Sequence, residues 1–360
     1  MDGRGFVRLA QLRARIATLA RGGRFELAGK LLHELTRADL ALGLPADSLL
    51  RARQAAALAE EQGGETAGPL IVLAATLLAT DEHTGALEAC TAALDRATPS
   101  ERTRIEALAR LVGGAAQRRA GRLREARALL DGARGAAARI GESALAGLAL
   151  CELARVDLAE GQPAAAATCF DFGAEFFRRA GQPDRAVEAD VLAVTAWSAA
   201  GALDAATERA PRAADAARKA NRPELTAVID GSLAELMLRH APAAAAEACA
   251  LAAESAQALP DQVTSRELVA EARLRQVRAS QDPIDRARHL EAGIDVALTL
   301  ESSRAGDRLG ALLVALVDDR VAGRPVADSE LQRLSVAIAS LGDQELSEMA
   351  RGIVAELRAG

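Results

Sequence analysis

The sequence predicts an all-α protein, a stack of antiparallel helix pairs amounting to about eighteen helices in 360 residues. Three observations carry the prediction. The apolar half of the chain is mostly Ala and Leu, breaks in the helical pattern recur about every twenty residues, and a small residue follows alternate breaks at a fixed distance. Ala and Leu are the strongest helix formers, while the β-branched and aromatic residues that strands favour are scarce. With six Phe, one Trp and no Tyr, the core has to be assembled from small side chains packed closely.

The breaks fall at Gly23, Gly43 and Gly63, near His83 and Glu101, then at Gly121, Gly141, Gly161, Gly181, Gly201, Asn221, Ala241, Asp261, Asp282, Ser302, Gly323 and Gly342. Most successive steps are twenty residues. Each leaves room for about seventeen helical residues and a tight turn, roughly 25 Å of helix at 1.5 Å per residue. Gly and Asn suit the left-handed conformation that closes a helix. Pro at 45, 163, 183, 223, 242 and 283 sits where it can open the next one.

Alternate turns differ, and the difference defines the true repeat. Ala stands five positions after six of these turn residues, at Ala28, Ala126, Ala166, Ala206, Ala246 and Ala287. A small residue there lets two helices approach near their shared turn, so the repeat is a helix pair of about forty residues.

This pattern resembles the tetratricopeptide repeat, whose turn reads Gly, any residue, aromatic or Leu, acidic, any residue, Ala. Leu123, Leu203 and Ile284 fill the apolar place and Asp204 and Asp285 the acidic one. Gly114, Ala154 and Ala234 match the small position of the first helix, and Trp197 its aromatic position. Ala133, Gly173, Ala213 and Ala253 match the second small position of the second helix. The match departs in repeat length, which is usually near thirty-four residues, and in lacking most of the aromatics. A forty-residue version is similar to the repeat arrays of large bacterial transcriptional regulators, without their ATPase part or DNA-binding helices. The resemblance implies one right-handed α-solenoid over residues 1–360, clearest from 100 to 300, with 1–63 and 324–360 divergent or capping. HEAT or armadillo stacking is the nearest alternative. Segments 4–22 and 343–358 each have a polar face suited to capping the array. The most apolar stretch, residues 64–80, reads as a buried helix.

Composition also excludes function classes. A formal net charge of −6 argues against nucleic-acid binding, which needs a basic face. The Arg-rich first helix, with Arg4, Arg8, Arg13, Arg15, Arg21 and Arg24, reads as a solvated face. No run of eighteen apolar residues is present to span a membrane, and no secretory signal is recognisable. A cytoplasmic protein is expected, and the Ala/Arg bias fits a GC-rich bacterial genome. Cys90, Cys151, Cys169 and Cys249 lack CxxC spacing and read as reduced, mostly buried thiols.

No catalytic set is assembled by local spacing. Gly23–Lys30 imitates a phosphate-binding loop, but the glycines are one residue too far apart and Leu31 replaces the magnesium-binding hydroxyl. Asp318 and Asp319 are adjacent, point a third of a turn apart, and read as solvated. His33, His83, His240 and His289 are each isolated, which leaves no zinc or di-iron spacing. Neither catalytic residues, nor a metal, nor a cofactor is expected.

In the family that the chain resembles, the first helix of each pair lines a concave groove that holds a partner peptide. The resemblance then implies a non-enzymatic interaction scaffold or adaptor. Helical phase places Arg118, Arg119, Arg155, Thr195, Glu235, Arg239 and Gln276 on that surface. The Arg residues suit a partner bearing carboxylates, through charge-assisted hydrogen bonds. A ligand-sensing repeat domain is the second reading, and a helical-toroid enzyme ranks third.

Overall fold

The computed structural model describes residues 45–61, 66–260 and 263–359. Among them are sixteen helices and no strand. The first eight are α1 (Pro45–Glu61), α2 (Ala67–Ala79), α3 (His83–Arg96), α4 (Arg102–Arg119), α5 (Leu123–Arg139), α6 (Ser143–Ala159), α7 (Pro163–Arg179) and α8 (Pro183–Ala199). The rest are α9 (Leu203–Lys219), α10 (Pro223–His240), α11 (Pro242–Gln257), α12 (Val263–Ala279), α13 (Pro283–Ala297), α14 (Ser302–Val321), α15 (Asp328–Ser340) and α16 (Gln344–Ala359). The further helices expected nearer the start, the Arg-rich face, Ala28 and the Gly23–Lys30 segment lie outside the described residues.

The turns repeat one device. At the end of α4 the Gly121 N–H donates to the Arg118 carbonyl and the Arg122 N–H to the Gln117 carbonyl, both at 2.9 Å. That crossed pair is the Schellman closure, and it places Gly121 at φ +75°. Gly141, Gly161, Gly181, Gly201, Gly323 and Gly342 repeat the positive φ. Asn221 and Asp81 adopt it without being glycine, at φ 55° and 59°. The break expected near His83 therefore turns on Asp81. Proline opens α1, α7, α8, α10, α11 and α13, where a missing N–H costs nothing.

The chain forms two compact units, one ending at Ala186 and the other beginning at Val187, so the boundary falls inside α8. In the first unit α1 to α7 pack in sequence, each on the helix before it, and α2 also touches α4, as α4 does α6. In the second, α9 to α16 pack in the same sequential way, with α10 on α12, α12 on α14 and α14 on α16. The first helices of successive pairs thus form a continuous layer within each unit. The apolar stretch at 64–80 becomes α2, which buries Leu70, Ile71, Ala74 and Leu77.

The small residue after alternate turns is the fourth residue of the second helix. Ala86, Ala126, Ala166 and Ala206 are fully buried there. Two expected members are corrected: Ala246 and Ala287 are exposed. A single residue, Ala241, joins α10 to α11, which shifts the buried position to Ala245. Before α13, Asp282 is an N-cap that accepts the Ile284 N–H at 3.0 Å, one residue past the turn position. The packing position there belongs to Arg286.

Arg286 is 1% exposed in a site that other repeats give to alanine. Its guanidinium donates to Glu330 Oε2 at 3.1 Å and to the Pro325 carbonyl, and lies 3.6 Å from Asp319 Oδ2. Asp319 also pairs with Arg324 at 2.5 Å. The expectation that Asp318 and Asp319 are both solvated is therefore half corrected. Asp318 is exposed, whereas Asp319 is buried because Arg286 needs a counter-charge.

Removing one partner of such a group strands the others in a low dielectric, which typically costs about 3–5 kcal/mol. Urea denaturation of Arg286→Ala should show a loss of that order, and a loss under about 1 kcal/mol would mean the acids find water instead. Gly161→Ala adds a Cβ to open space at φ +75°. The backbone alone should then lower stability by about 1–2 kcal/mol.

Candidate functional site

The residues expected on the first-helix surface fall into separate groups, one set in each unit. In the first unit, Arg118 near the end of α4 donates Nε to Glu152 Oε2 at 3.1 Å, and Arg155 of α6 donates to Glu152 Oε1 at 2.6 Å. One carboxylate holds two guanidiniums, leaving this half-buried triad with an extra positive charge. Arg119 points elsewhere. It donates to the Leu78 carbonyl at 2.7 Å and to Asp81 Oδ1 at 3.2 Å, so it ties α4 to the end of α2.

In the second unit Thr195, Glu235 and Arg239 line one cavity of about 240 Å³, together with Ser198, Ser232, Leu236 and Arg275. Glu235 is its electrostatic centre. Arg278 donates to both of its oxygens, at 3.1 and 3.0 Å, and Arg239 donates Nε and Nη2 to Oε1 at 3.3 and 3.2 Å. The Arg275 Nε lies 3.7 Å from Oε2. Burial by itself would raise the Glu235 carboxyl, but the Arg278 hydrogen bond and the charges of Arg278, Arg239 and Arg275 outweigh it and hold the group below its ordinary range. Glycine makes room for this packing. A Cβ on Gly231 would stand 3.0 Å from Arg275 Nη1.

The hydroxyls are unequally committed. Thr195 Oγ1 donates to the Val191 carbonyl at 3.0 Å, and Ser232 Oγ to the Val228 carbonyl at 2.9 Å. Ser198 is 9% exposed, and its Oγ has no hydrogen-bond partner.

Gln276 is not brought to this cavity. It accepts from Arg273 Nη1 at 2.8 Å and lines a second cavity, of about 480 Å³, with Cys249, Asp285 and His289. Burial, assisted by the charge of Arg273, lowers the His289 imidazole. Sequence reasoning missed Glu152, Arg275 and Arg278. The signal for Arg275 was present, since a forty-residue step runs from Arg155 through Thr195 and Glu235 to Arg275, one position before Gln276.

Burial disfavours the thiolate form at all four cysteines. Burial pushes the Cys90 thiol up to about 12 and Cys151, Cys169 and Cys249 up to about 11. Thiols of that kind stay protonated at neutral pH. Cys169 Sγ instead donates to Asp157 Oδ2 at 3.5 Å, and Arg127 clamps that aspartate at 2.6 Å. Among the described residues no three His, Cys, Asp or Glu are grouped to hold a metal, and no helix is long and apolar enough to cross a membrane.

Because the folded Glu235 carboxyl sits below its unfolded value, it contributes stability that is complete above the unfolded value and is lost as pH falls through the folded one. Glu235→Gln removes that dependence. Between about pH 5 and about pH 3, the urea midpoint of the variant should fall less than that of the wild type, and parallel curves would show that Glu235 is not held by its arginines in solution.

No family model matches the chain, and no curated protein matches it in sequence. Solved structures do match in fold. A signal-transduction ATPase with numerous domains from Pyrococcus horikoshii, bearing a tetratricopeptide repeat sensor, superposes with a TM-score of 0.63 at 12% identity. The match covers 99% of this chain and 55% of that one. The apo form of RapI superposes with a TM-score of 0.58 at 12% identity, covering 98% of this chain and 97% of that one. The chain thus spans about half the length of the first of these proteins. It has the helical-repeat fold of tetratricopeptide-repeat proteins.

Proposed function

We propose that the chain is a non-enzymatic interaction module of the cytoplasm that holds a segment of another protein, or a free peptide, against its first-helix surfaces, and that the segment is acidic. The observation that carries this reading is the placement of incompletely neutralised arginines on successive first helices. Arg118 and Arg155 share one acid in the first unit, and Arg239, Arg275 and Arg278 surround another in the second. Exposed ion pairs add little to stability. A cluster with more guanidiniums than carboxylates is better suited to bidentate recognition of a partner's acids.

A second reading, a sensor domain for a small molecule, draws support from the 480 Å³ cavity at Gln276 and His289, which is within the size range of ligand pockets. The first of the similar structures is itself described as bearing a repeat sensor.

Selection from a random-peptide display library separates these readings. The interaction reading expects acidic peptides with dissociation constants near micromolar, about −8 kcal/mol. It also expects Arg118→Glu with Arg155→Glu, or Arg239→Glu with Arg278→Glu, to weaken binding tenfold or more. Failure to select any peptide, or equal binding by wild type and both double variants, would overturn it.

A further inference from the structure

We propose that the cavity bounded by Thr195, Ser198 and Arg275 is a subsite for one carboxylate group of the ligand, and that Glu235 occupies its guanidiniums as an internal stand-in until the ligand displaces it. The proposal rests on the interaction reading above and adds to it a place, a chemical class and a competitor.

The first argument is charge. Glu235 is shared by Arg239, Arg275 and Arg278. The neighbouring acid, Glu271, is shared by Arg275 at 3.3 Å and Arg308 at 2.5 Å. Four guanidiniums are therefore matched by two carboxylates. Arg275 is only 16% exposed in its side chain, so water screens it poorly. A partly desolvated excess of positive charge favours an anion brought from outside.

Hydrogen bonding supplies an independent argument. Both Thr195 and Ser232 have spent their hydroxyl protons on helix carbonyls, so Ser198 retains the uncommitted one. A buried hydroxyl without a partner costs free energy until something meets it. Ser198 Oγ makes no hydrogen bond to the acceptors that share the cavity with it, Glu235 included, whereas a bound oxyanion could meet it while also taking the Arg275 N–H groups.

Size and shape then narrow the class. About 240 Å³ admits a side chain or a chain end, and not a whole drug-sized molecule. The resident anion is planar and takes two hydrogen bonds from the Arg278 Nη1, one at each oxygen. The anion that these guanidiniums already hold is a carboxylate, and a ligand that replaces it like for like is a second carboxylate, which phosphate in the titration below tests. When the ligand carboxylate enters, Glu235 moves out toward the more exposed Arg239, whose side chain is 57% exposed. Glu235 is thereby a built-in competitor that sets the threshold for binding.

The single Trp of the chain, Trp197, precedes Ser198 on α8 and is capped by the Arg209 guanidinium at 5.3 Å from its ring centre. It does not line the cavity, so binding is read by titration calorimetry, with its fluorescence as a second signal. The full chain is titrated with the peptide Ac-Ala-Ala-Ala-Ala-Glu-Glu carrying a free terminus, the same peptide amidated, the amidated Gln-Gln analogue, and inorganic phosphate. Saturable heat of binding is expected for the acidic peptides, with the free and amidated forms separating a chain end from side chains as the source of the carboxylate. Glu235→Gln should tighten acidic-peptide binding at least tenfold, because the competitor is gone while every arginine remains. Arg278→Gln, at a position exposed enough to leave the fold intact by circular dichroism, should weaken it by a similar factor.

Equal or weaker binding by Glu235→Gln would overturn the stand-in role. Equal binding of the Gln-Gln analogue, or a response to phosphate alone, would overturn the carboxylate subsite. If display-selected peptides bind the wild type yet ignore both substitutions, the interaction reading stands and this subsite falls. If no acidic peptide binds even Glu235→Gln, the subsite is rejected outright.

Discussion

Close helix approach at the tight turns governs the rest of this structure. A fully buried alanine at the fourth position of α3, α5, α7 and α9 leaves almost no space between a helix and the one before it. Interaxial distance follows the side chains at the contact, so small residues draw the axes together. Gly114 belongs to the same scheme, since a Cβ there would stand 2.6 Å from Leu130 Cγ, against the neighbouring helix α5. Once backbones are this near, apolar stabilisation comes from many small contacts, and large rings find little room. The single Trp and absent Tyr are consequences of that geometry as much as of composition.

Close packing also explains why the basic charge is almost entirely Arg. Ion pairs run from one helix pair to the next, as in Arg104 with Glu142, Arg118 with Glu152, Arg278 with Glu235 and Arg308 with Glu271. The partners stand thirty-four to forty-three residues apart, so each link joins neighbouring repeats. A long side chain with a planar fork spans that gap and holds its geometry, which a lysine ammonium does less well. These links fix register between repeats more than they add stability.

The period, the turns and the resemblance were legible in the sequence because each depends on local chemistry: a left-handed turn residue, a proline that opens a helix, a small residue at a fixed offset. What escaped was phase. The single-residue link at Ala241 moves the buried position from Ala246 to Ala245, and Asp282 is the cap of α13 and not the turn residue. A one-residue error is a rotation of about 100° on a helix, enough to exchange Arg275 for Gln276 at the cavity. Glu152 and Arg278 escaped for another reason. Their roles depend on side chains from adjacent helices converging on one point, which periodicity does not encode.

Arg286 has a consequence for how such a chain can change over time. Repeat proteins grow and diversify by duplicating or exchanging whole units, which succeeds when every junction is alike. Where alanine fills the junction, one helix pair can stand in for another. The pair carrying Arg286 is different, because its junction is complete only beside Asp319 and Glu330. Moved elsewhere in the array it would bury a lone cation, and an ordinary pair set in its place would take Glu330 from its guanidinium and leave Asp319 to Arg324 alone. Among the described junctions this one is therefore a fixed address, tied to two particular acids where its neighbours need only a small side chain.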